Sequence, residues 1–302
     1  MPYENTHLYL ADKVKRKLGG RALNAALDAH LAYFQLGSIF PDTLFYSKEE
    51  EINRVAYKLH GDDGQPTSRF VFDVLDVARD SNSQRDFAFI AGYLTHCAAD
   101  ITFHPLVFYM SGYKPNAGKT RKQKASYLHW KYETLIDSRL NDVFRFEKCI
   151  QPRLIHNLIA PEVLGVEAET LEAALKKQKR YFSKIGSRFY YHAFRVMGAL
   201  GCVPPESVAG FYHSLNTGDI SLPERIHYRD VLSGENLETS LESLVERCVN
   251  LGVRLVTAAH EYLTGGIDRA ACEVVIAGES LHTGKLGKTM QDIRYAAPID
   301  TH

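Results

Sequence analysis

The sequence predicts an all-α fold, because apolar residues recur every three or four positions along most of its 302 residues. Runs that alternate apolar and polar residues, as half-buried strands do, are hard to find. Breaker pairs such as Pro204-Pro205 and Gly265-Gly266 separate the periodic stretches in the way that turns do. These three observations favour a compact multi-helix protein over a β or an α/β fold.

Five stretches have the periodicity of amphipathic or buried helices, and they are residues 70–78, 87–107, 126–143, 171–200 and 237–263. No internal repeat or low-complexity linker divides them, so we expect one domain over residues 1–302. Within it we expect supporting helices in 150–270 and a weakly structured tail in 276–302, where the periodicity fades. A loose domain boundary would fit only near 151–165.

The composition excludes two classes of protein. Hydrophobic residues make up 45% of the chain, and 36 basic residues balance 36 acidic ones. Disordered chains combine low hydrophobicity with high net charge, and this chain has neither. A formal net charge of zero also argues against general nucleic-acid binding, which usually uses a net basic face.

The cysteines and the N-terminal region indicate a cellular compartment. The chain has 5 cysteines with no CxxC spacing, which is typical of neither a disulfide framework nor a thiolate zinc site and fits a reducing environment. The chain as given has no signal-peptide pattern at its start and no apolar run of the ~18 residues that a membrane helix needs. We therefore expect a cytoplasmic protein without a transmembrane segment.

The first set of candidate metal ligands lies within the stretch 87–107. His96, Asp100 and His104 are four residues apart, so all three lie near one stripe of the predicted helix. Because four residues advance a helix by about 6 Å, His96 and His104 are about 12 Å apart and are expected to bind different ions. The carboxylate of Asp100 has two oxygens and can bridge neighbouring ions.

A second pair follows on the next predicted helix, where His129 and Glu133 again stand at positions i and i+4. Alone, such a pair is more often an ordinary exposed helix pair. Beside the first set, it indicates a metal face. Imidazole and carboxylate donors without thiolates favour zinc or another divalent first-row ion in a site built for chemistry.

Three upstream residues are weak signals when taken singly. Asp42 follows Pro41 and is also explained as a helix cap, while His60 precedes Gly61 and is also explained as a turn residue. His7 carries no local pattern of its own.

Taken in order, five elements of the chain resemble the zinc-dependent phospholipase C family, which shares its fold with the single-strand-specific zinc nucleases. The elements are Thr6-His7, the sequence GSIFPD ending at Asp42, His60, His96-x3-Asp100-x3-His104 and His129-x3-Glu133. The resemblance is close over residues 7–133. It is looser beyond, through 215–218 and the predicted helix 237–263. It implies the compact all-helical fold of that family.

The resemblance also implies three zinc ions with the following ligands: Asp42, His60, His96 and Asp100 for one ion, His7 and Asp100 for a second, and His104, His129 and Glu133 for a third. In the family, the terminal amino group and carbonyl complete the second site. Here that would require removal of Met1, which leaves Pro2 five residues ahead of His7.

The three zinc ions would explain how the protein hydrolyses a phosphodiester. A water that bridges two zinc ions has a pKa near neutrality and supplies a zinc-bound hydroxide for in-line attack on phosphorus. The cations also stabilise the negative charge that develops on the phosphate and leaving oxygens. Asp42 is expected to act as a zinc ligand, as a general base towards the water, or as both.

The function predicted from these features is a zinc-dependent phosphodiester hydrolase that resembles phospholipase C and acts on a substrate such as a phospholipid headgroup at a membrane surface. Two alternatives stay open: a nuclease or other phosphoester hydrolase of the same fold, and a non-catalytic, metal-stabilised helical binding domain. The sequence indicates no oligomeric state.

Other features neither narrow the substrate nor add ligands. Nearby aromatic residues either line a lipid or base pocket or belong to the core, which is the more usual role at helical spacing. Basic residues in 113–124 either attract an anionic substrate or form a solvated loop. No phosphate loop, HExxH motif or GxSxG elbow occurs. The remaining histidines are expected to be structural or on the surface, and they are His30, His156, His192, His213, His227, His260, His282 and His302.

Overall fold

A computed structural model of the chain describes residues 4–140, 144–185, 187–203 and 222–299. Its helices are α1 (Glu4–Lys17), α2 (Arg21–Ala29), α3 (Leu31–Gly37), α4 (Phe40–Thr43), α5 (Glu50–Leu59), α6 (Ser68–Asp80), α7 (Gln84–Met110), α8 (Lys119–Leu140), α9 (Phe146–Cys149), α10 (Ala160–Leu164), α11 (Ala168–Ile185), α12 (Arg188–Ala199), α13 (Leu241–Leu263) and α14 (Arg269–Val275). Two short antiparallel strands, β1 (Ile226–Arg229) and β2 (Asn236–Thr239), form the one sheet among the described residues. The predicted all-α class is confirmed.

Helix α7 is the centre of the molecule, and α1, α3, α6 and α13 pack around it. Its sequence is apolar on nearly all sides, which is typical of a helix surrounded by other helices. The Ser83 side chain caps the N-terminus of the helix by accepting a hydrogen bond from the Asp86 backbone N–H. Its buried length carries His96, Asp100 and His104, so the central helix also carries the predicted ligands.

Two glycines allow α3 to approach α7 closely. A Cβ at Gly37 would lie 1.9 Å from the Phe89 carbonyl oxygen, and a Cβ at Gly92 would lie 1.9 Å from that of Phe34. Only residues without a side chain fit at these positions. The approach brings the end of α3, and Asp42 soon after it, against the middle of α7.

Three predicted helices differ from the structure at their ends. The stretch 171–200 is divided into α11 and α12, and Ser187, with extended backbone, caps the second of them. The stretch 237–263 begins as strand β2, so α13 starts only after Ser240. Helix α8 begins seven residues before the predicted start, and residues 141–143 lie outside the described part of the chain. The motif at 215–218 also lies outside it.

The C-terminal segment has little regular secondary structure beyond a 3₁₀ turn at Met290–Asp292, yet it packs onto the helical body. Ile276, Leu281 and His282 are buried. Thr67, just before α6, donates its backbone N–H to the Gly278 carbonyl at 3.0 Å and its hydroxyl to the Glu279 carbonyl at 2.8 Å. We call residues 278–284 the C-terminal strap.

None of the helices in the described ranges is both long enough and apolar enough to cross a bilayer.

Candidate metal centre

The spacing on α7 places three predicted ligands in a buried column. The His96 Nε2 atom lies 3.2 Å from Asp100 Oδ2, and His104 Nδ1 lies 3.7 Å from the same oxygen. All three side chains are buried. The helix therefore presents one carboxylate between two imidazoles, as its four-residue spacing predicts.

Asp42 and His60 reach this column from the side. Asp42 lies on the short helix α4, where Pro41 occupies the first turn. His60 is the C-terminal cap of α5. The Asp42 Oδ1 atom lies 3.2 Å from His60 Nε2 and 3.7 Å from His96 Nε2. One ligand atom from each of Asp42, His60, His96 and Asp100 lies within 4.8 Å of the others. We call these four residues the first metal group.

His7 lies against the first metal group. Its ring stacks on that of His96, with centroids 3.9 Å apart and planes inclined by 9°. Its Nε2 atom is 3.5 Å from Asp100 Oδ1 and 3.8 Å from Asp42 Oδ2. The two oxygens of Asp100 therefore face different histidines. Residues 1–3 lie outside the described part of the chain, and so does the predicted role of Pro2.

The remaining predicted ligands form a second metal group, which consists of His104, His129 and Glu133. His129 Nε2 lies 2.8 Å from Glu133 Oε1, and His104 Nε2 lies 3.8 Å from the same oxygen. Helix α8 packs beside α7 and so brings its pair to His104. The side chain of His129 is 15% exposed, whereas the histidines of the first group are fully buried.

Backbone carbonyls orient three of these imidazoles. Nδ1 of His60 lies 2.7 Å from the Ala56 carbonyl oxygen, and Nδ1 of His96 lies 3.1 Å from that of Ser38. Nδ1 of His104 hydrogen-bonds to the carbonyl of Leu281 in the strap. Because a carbonyl only accepts hydrogen bonds, each Nδ1 carries a proton, which leaves Nε2 of the neutral ring as the atom that can bind a metal. Metal-ligating histidines are held in this way.

The unpaired atoms of the centre fit a bound cation. Among the described residues, Nε2 of His7, His96 and His104, Oδ2 of Asp42 and both Asp100 oxygens are buried without a hydrogen-bond partner. Such atoms are costly in a protein interior unless an ion or another polar group satisfies them. Imidazole nitrogens and carboxylate oxygens together are zinc ligands. The residues present therefore fit zinc.

Comparison with family models decides the family. The model described as zinc dependent phospholipase C matches residues 6–187. The chain belongs to the zinc-dependent phospholipase C family. No curated protein gave a match. No solved structure gave a match either. The resemblance inferred from the sequence motifs is confirmed, and with it zinc as the cofactor.

The pKa shifts of most predicted ligands suit metal binding, and His96 is the exception because it must lose a proton to bind a metal. Burial lowers the pKa of His7 to about 3 and that of His104 and His129 well below the usual range, so these rings are neutral near pH 7. Burial alone would raise the pKa of Asp100, but His104 and His96 hold it well below its usual range. Burial also lowers the pKa of His96, but Asp100 and Asp42 outweigh this and raise it.

A cavity of about 360 Å³ opens beside the second metal group. All three residues of that group line it, and none of the first group does. Its other walls are largely apolar and include Phe45, Tyr57, Phe108, Tyr113, Trp130 and Met290. Some aromatics that the sequence left undecided therefore line a pocket, whereas Phe40 and Phe103 belong to the core. Lys122 brings one positive charge from the basic stretch to the wall.

Sequence reasoning missed two side chains of the centre. His282, expected to be structural or on the surface, lies in the cavity wall with its ring against those of His60 and His104. Glu4 is buried near Asp42, and its carboxylate accepts hydrogen bonds from Gln178 at 2.8 Å and Tyr46 at 3.2 Å. Burial, followed by the Asp42 charge, raises the pKa of Glu4 to about 8. Glu4 lies three residues before His7 on α1, a helical spacing that connects it to a predicted ligand, whereas no local spacing connects His282 to the ligand motifs.

Proposed function

We propose that this zinc-dependent phospholipase C-like hydrolase cleaves a phosphodiester whose organic part is apolar, as in a phospholipid. The observation that carries the proposal is the position of the second metal group, which lines a largely apolar cavity of about 360 Å³. A phosphoester bound in this cavity would have the ligands of the second metal group on one side and aromatic side chains on the other.

The proposed ligand sets follow the family resemblance and use three zinc ions. The first metal group would hold one ion, His7 and Asp100 would hold a second, and the second metal group would hold a third. Asp100 supports this scheme because Oδ1 faces His7 at 3.5 Å and Oδ2 faces His96 at 3.2 Å. One carboxylate can therefore serve two ions.

Asp42 is proposed as both a ligand and a proton acceptor. Its Oδ1 atom lies between His60 and His96, which suits a shared ion. Its Oδ2 atom faces His7 at 3.8 Å and has no hydrogen-bond partner among the described residues. That second oxygen is available to accept the proton of an attacking water.

Zinc ions held by these residues would lower the pKa of water and offset the negative charge on the phosphate oxygens. The protein orients the ligands, excludes water and binds the substrate. Backbone carbonyls fix the imidazoles before substrate arrives, and the buried first group excludes bulk water. Lys122 attracts the anionic substrate, and aromatic walls such as Phe108 and Trp130 hold its apolar part.

We further propose that residues 1–302 form one domain and that the protein acts in the cytoplasm. Four of its five cysteines are at least partly buried, and all five are free, which suits a reducing compartment.

The test is a paired assay with zinc-loaded protein on phosphatidylcholine vesicles and on single-stranded DNA. We expect release of the phosphorylated headgroup, and we expect Asp42→Asn to be at least about 100-fold slower because a zinc ligand and the proton acceptor are both altered. Cleavage of DNA instead would identify the nuclease alternative, since aromatic walls can also stack bases. A fully zinc-loaded protein that turns over neither substrate would favour the non-catalytic binding domain.

A further inference from the structure

We propose that the C-terminal strap, which lies outside the family-matched region, is a positioning element of the second metal group and sets the affinity of that group for zinc. The proposal rests on the ligand sets of the proposed function. It concerns metal binding, however, and can be tested without turnover.

Leu281 carries the central contacts. Its carbonyl accepts the hydrogen bond of His104 Nδ1, and its N–H donates to the His60 carbonyl at 3.0 Å. One residue of the strap therefore contacts a ligand of each metal group. The two contacts are not equivalent, because the strap touches only the backbone of His60. The His60 ring is oriented from within α5, by the Ala56 carbonyl.

His282 places a side chain between the two groups. Its ring lies nearly parallel to those of His60 and His104, with centroids 5.4 Å and 5.8 Å away and planes inclined by 21° and 24°. Its Nε2 atom is 3.2 Å from Asp62 Oδ1 on the turn after α5. The ring therefore has Asp62 on a third side and packs beside the His104 ring.

The strap is hydrogen-bonded to the helical body at its start, and at its end it forms an internal turn that lies close against α7. Thr67 binds the carbonyls of Gly278 and Glu279 at its start. At its end, Gly284 donates its N–H to the Ser280 carbonyl at 2.9 Å, and a Cβ on Gly284 would lie 2.8 Å from the Ile101 carbonyl oxygen of α7. Any side chain at 284 would push the strap away from α7.

Partners that orient a ligand typically change metal affinity by about 10–100-fold. His104 takes this partner from the strap, whereas His60 and His96 take theirs from the N-terminal helices. Displacing the strap should therefore weaken zinc binding at the second group and leave the first group intact.

Two glycines of one loop offer a matched test. Gly284 and Gly287 both have φ of +66°, so alanine introduces similar backbone strain at either position, but a Cβ at Gly287 meets no atom within 4 Å. We expect Gly284→Ala to bind the third zinc about 10–100-fold more weakly, in competition with a chelator, and Gly287→Ala to match the wild type. Circular dichroism and the melting temperature check that both variants fold.

A second pair of variants keeps the test decisive if Gly284→Ala fails to fold. His282→Ala should also release one zinc per chain, whereas His227→Ala, whose side chain is 72% exposed on β1, should release none. Zinc binding equal to the wild type in both Gly284→Ala and His282→Ala would overturn the proposal. Normal zinc binding without hydrolysis in the wild type would overturn the proposed function and leave the role of the strap standing.

Discussion

The two metal groups differ in burial and in the length of chain that builds them. The first group comes from α4, the end of α5 and α7, all within the family-matched region, and its side chains are fully buried. The second comes from α7 and α8, takes its orienting carbonyl from the distant strap and lines a cavity. The first group takes its ligands and orienting carbonyls from residues 38–100, whereas the second group, which is proposed to meet the substrate, depends on a remote segment.

This difference has a physical cause. A buried site is surrounded by helices that already supply carbonyls such as those of Ser38 and Ala56. A site at a cavity lacks neighbours on its open side, so another segment must provide the orienting contact. The segment that does so lies nearly 180 residues away from His104 in sequence.

The largest effect is expected from substitution of Asp100, which is proposed to bind two ions. Asp100→Asn removes the charge that faces both His7 and His96, so we expect two zinc ions to be lost together and hydrolysis to fall below detection. Metal analysis and the vesicle assay measure this. Asp73→Asn, an exposed carboxylate on α6, is the control. Full zinc content in Asp100→Asn would contradict a shared ligand.

A smaller loss is expected when only the cavity group is broken. Glu133→Gln removes the carboxylate that lies 2.8 Å from His129 Nε2, so the zinc of the second metal group should be lost while the other two ions stay bound. Zinc per chain should fall by about one, and hydrolysis by about 100-fold or more. Loss of all zinc from this variant would show that the two groups do not bind independently.

The substrate side of the cavity gives a still smaller effect. Trp130 is 40% exposed and lines the cavity, so Trp130→Ala should lower kcat/KM on phosphatidylcholine by about tenfold, or ~1.4 kcal/mol, through lost apolar contact. Zinc content should not change. Phe189→Ala, 75% exposed on α12 and absent from the cavity wall, is the matched control. Equal losses in both variants would argue against a substrate contact.

The smallest effect concerns the proton on Glu4 in metal-free protein. Its pKa is raised from 4.5 to about 8 in the fold, so between these pH values the unfolded chain loses a proton that the folded chain keeps. The free energy of unfolding should therefore fall as pH rises from 4.5 to 8, by up to ~1.4 kcal/mol per unit. Glu4→Gln should flatten this slope in urea unfolding at pH 5 and pH 7. An unchanged slope would contradict the shift.

The sequence was informative about local features. Periodicity located α6, α7 and α13, and helical spacing showed that His96, Asp100 and His104 share a stripe, because both depend on residues a few positions apart. The break between α11 and α12 was missed, since the apolar periodicity continues across Ser187.

The strap could not be predicted, because its contacts with His60 and His104 join segments that are far apart in sequence. Its ligand-orienting group is a backbone carbonyl, which leaves no trace in residue type. His282 looked like any isolated histidine because its ring partners, His60 and His104, are far from it in sequence. The buried ligands could be predicted from their spacing in the sequence. The contacts that orient the second metal group are visible only in the tertiary structure.

The most direct test of the two-group account is zinc content per chain, measured by inductively coupled plasma mass spectrometry on tag-free protein with a verified N-terminus. We expect close to three zinc ions in the wild type and about one fewer in Glu133→Gln. A wild type that holds no zinc after careful reloading would contradict it.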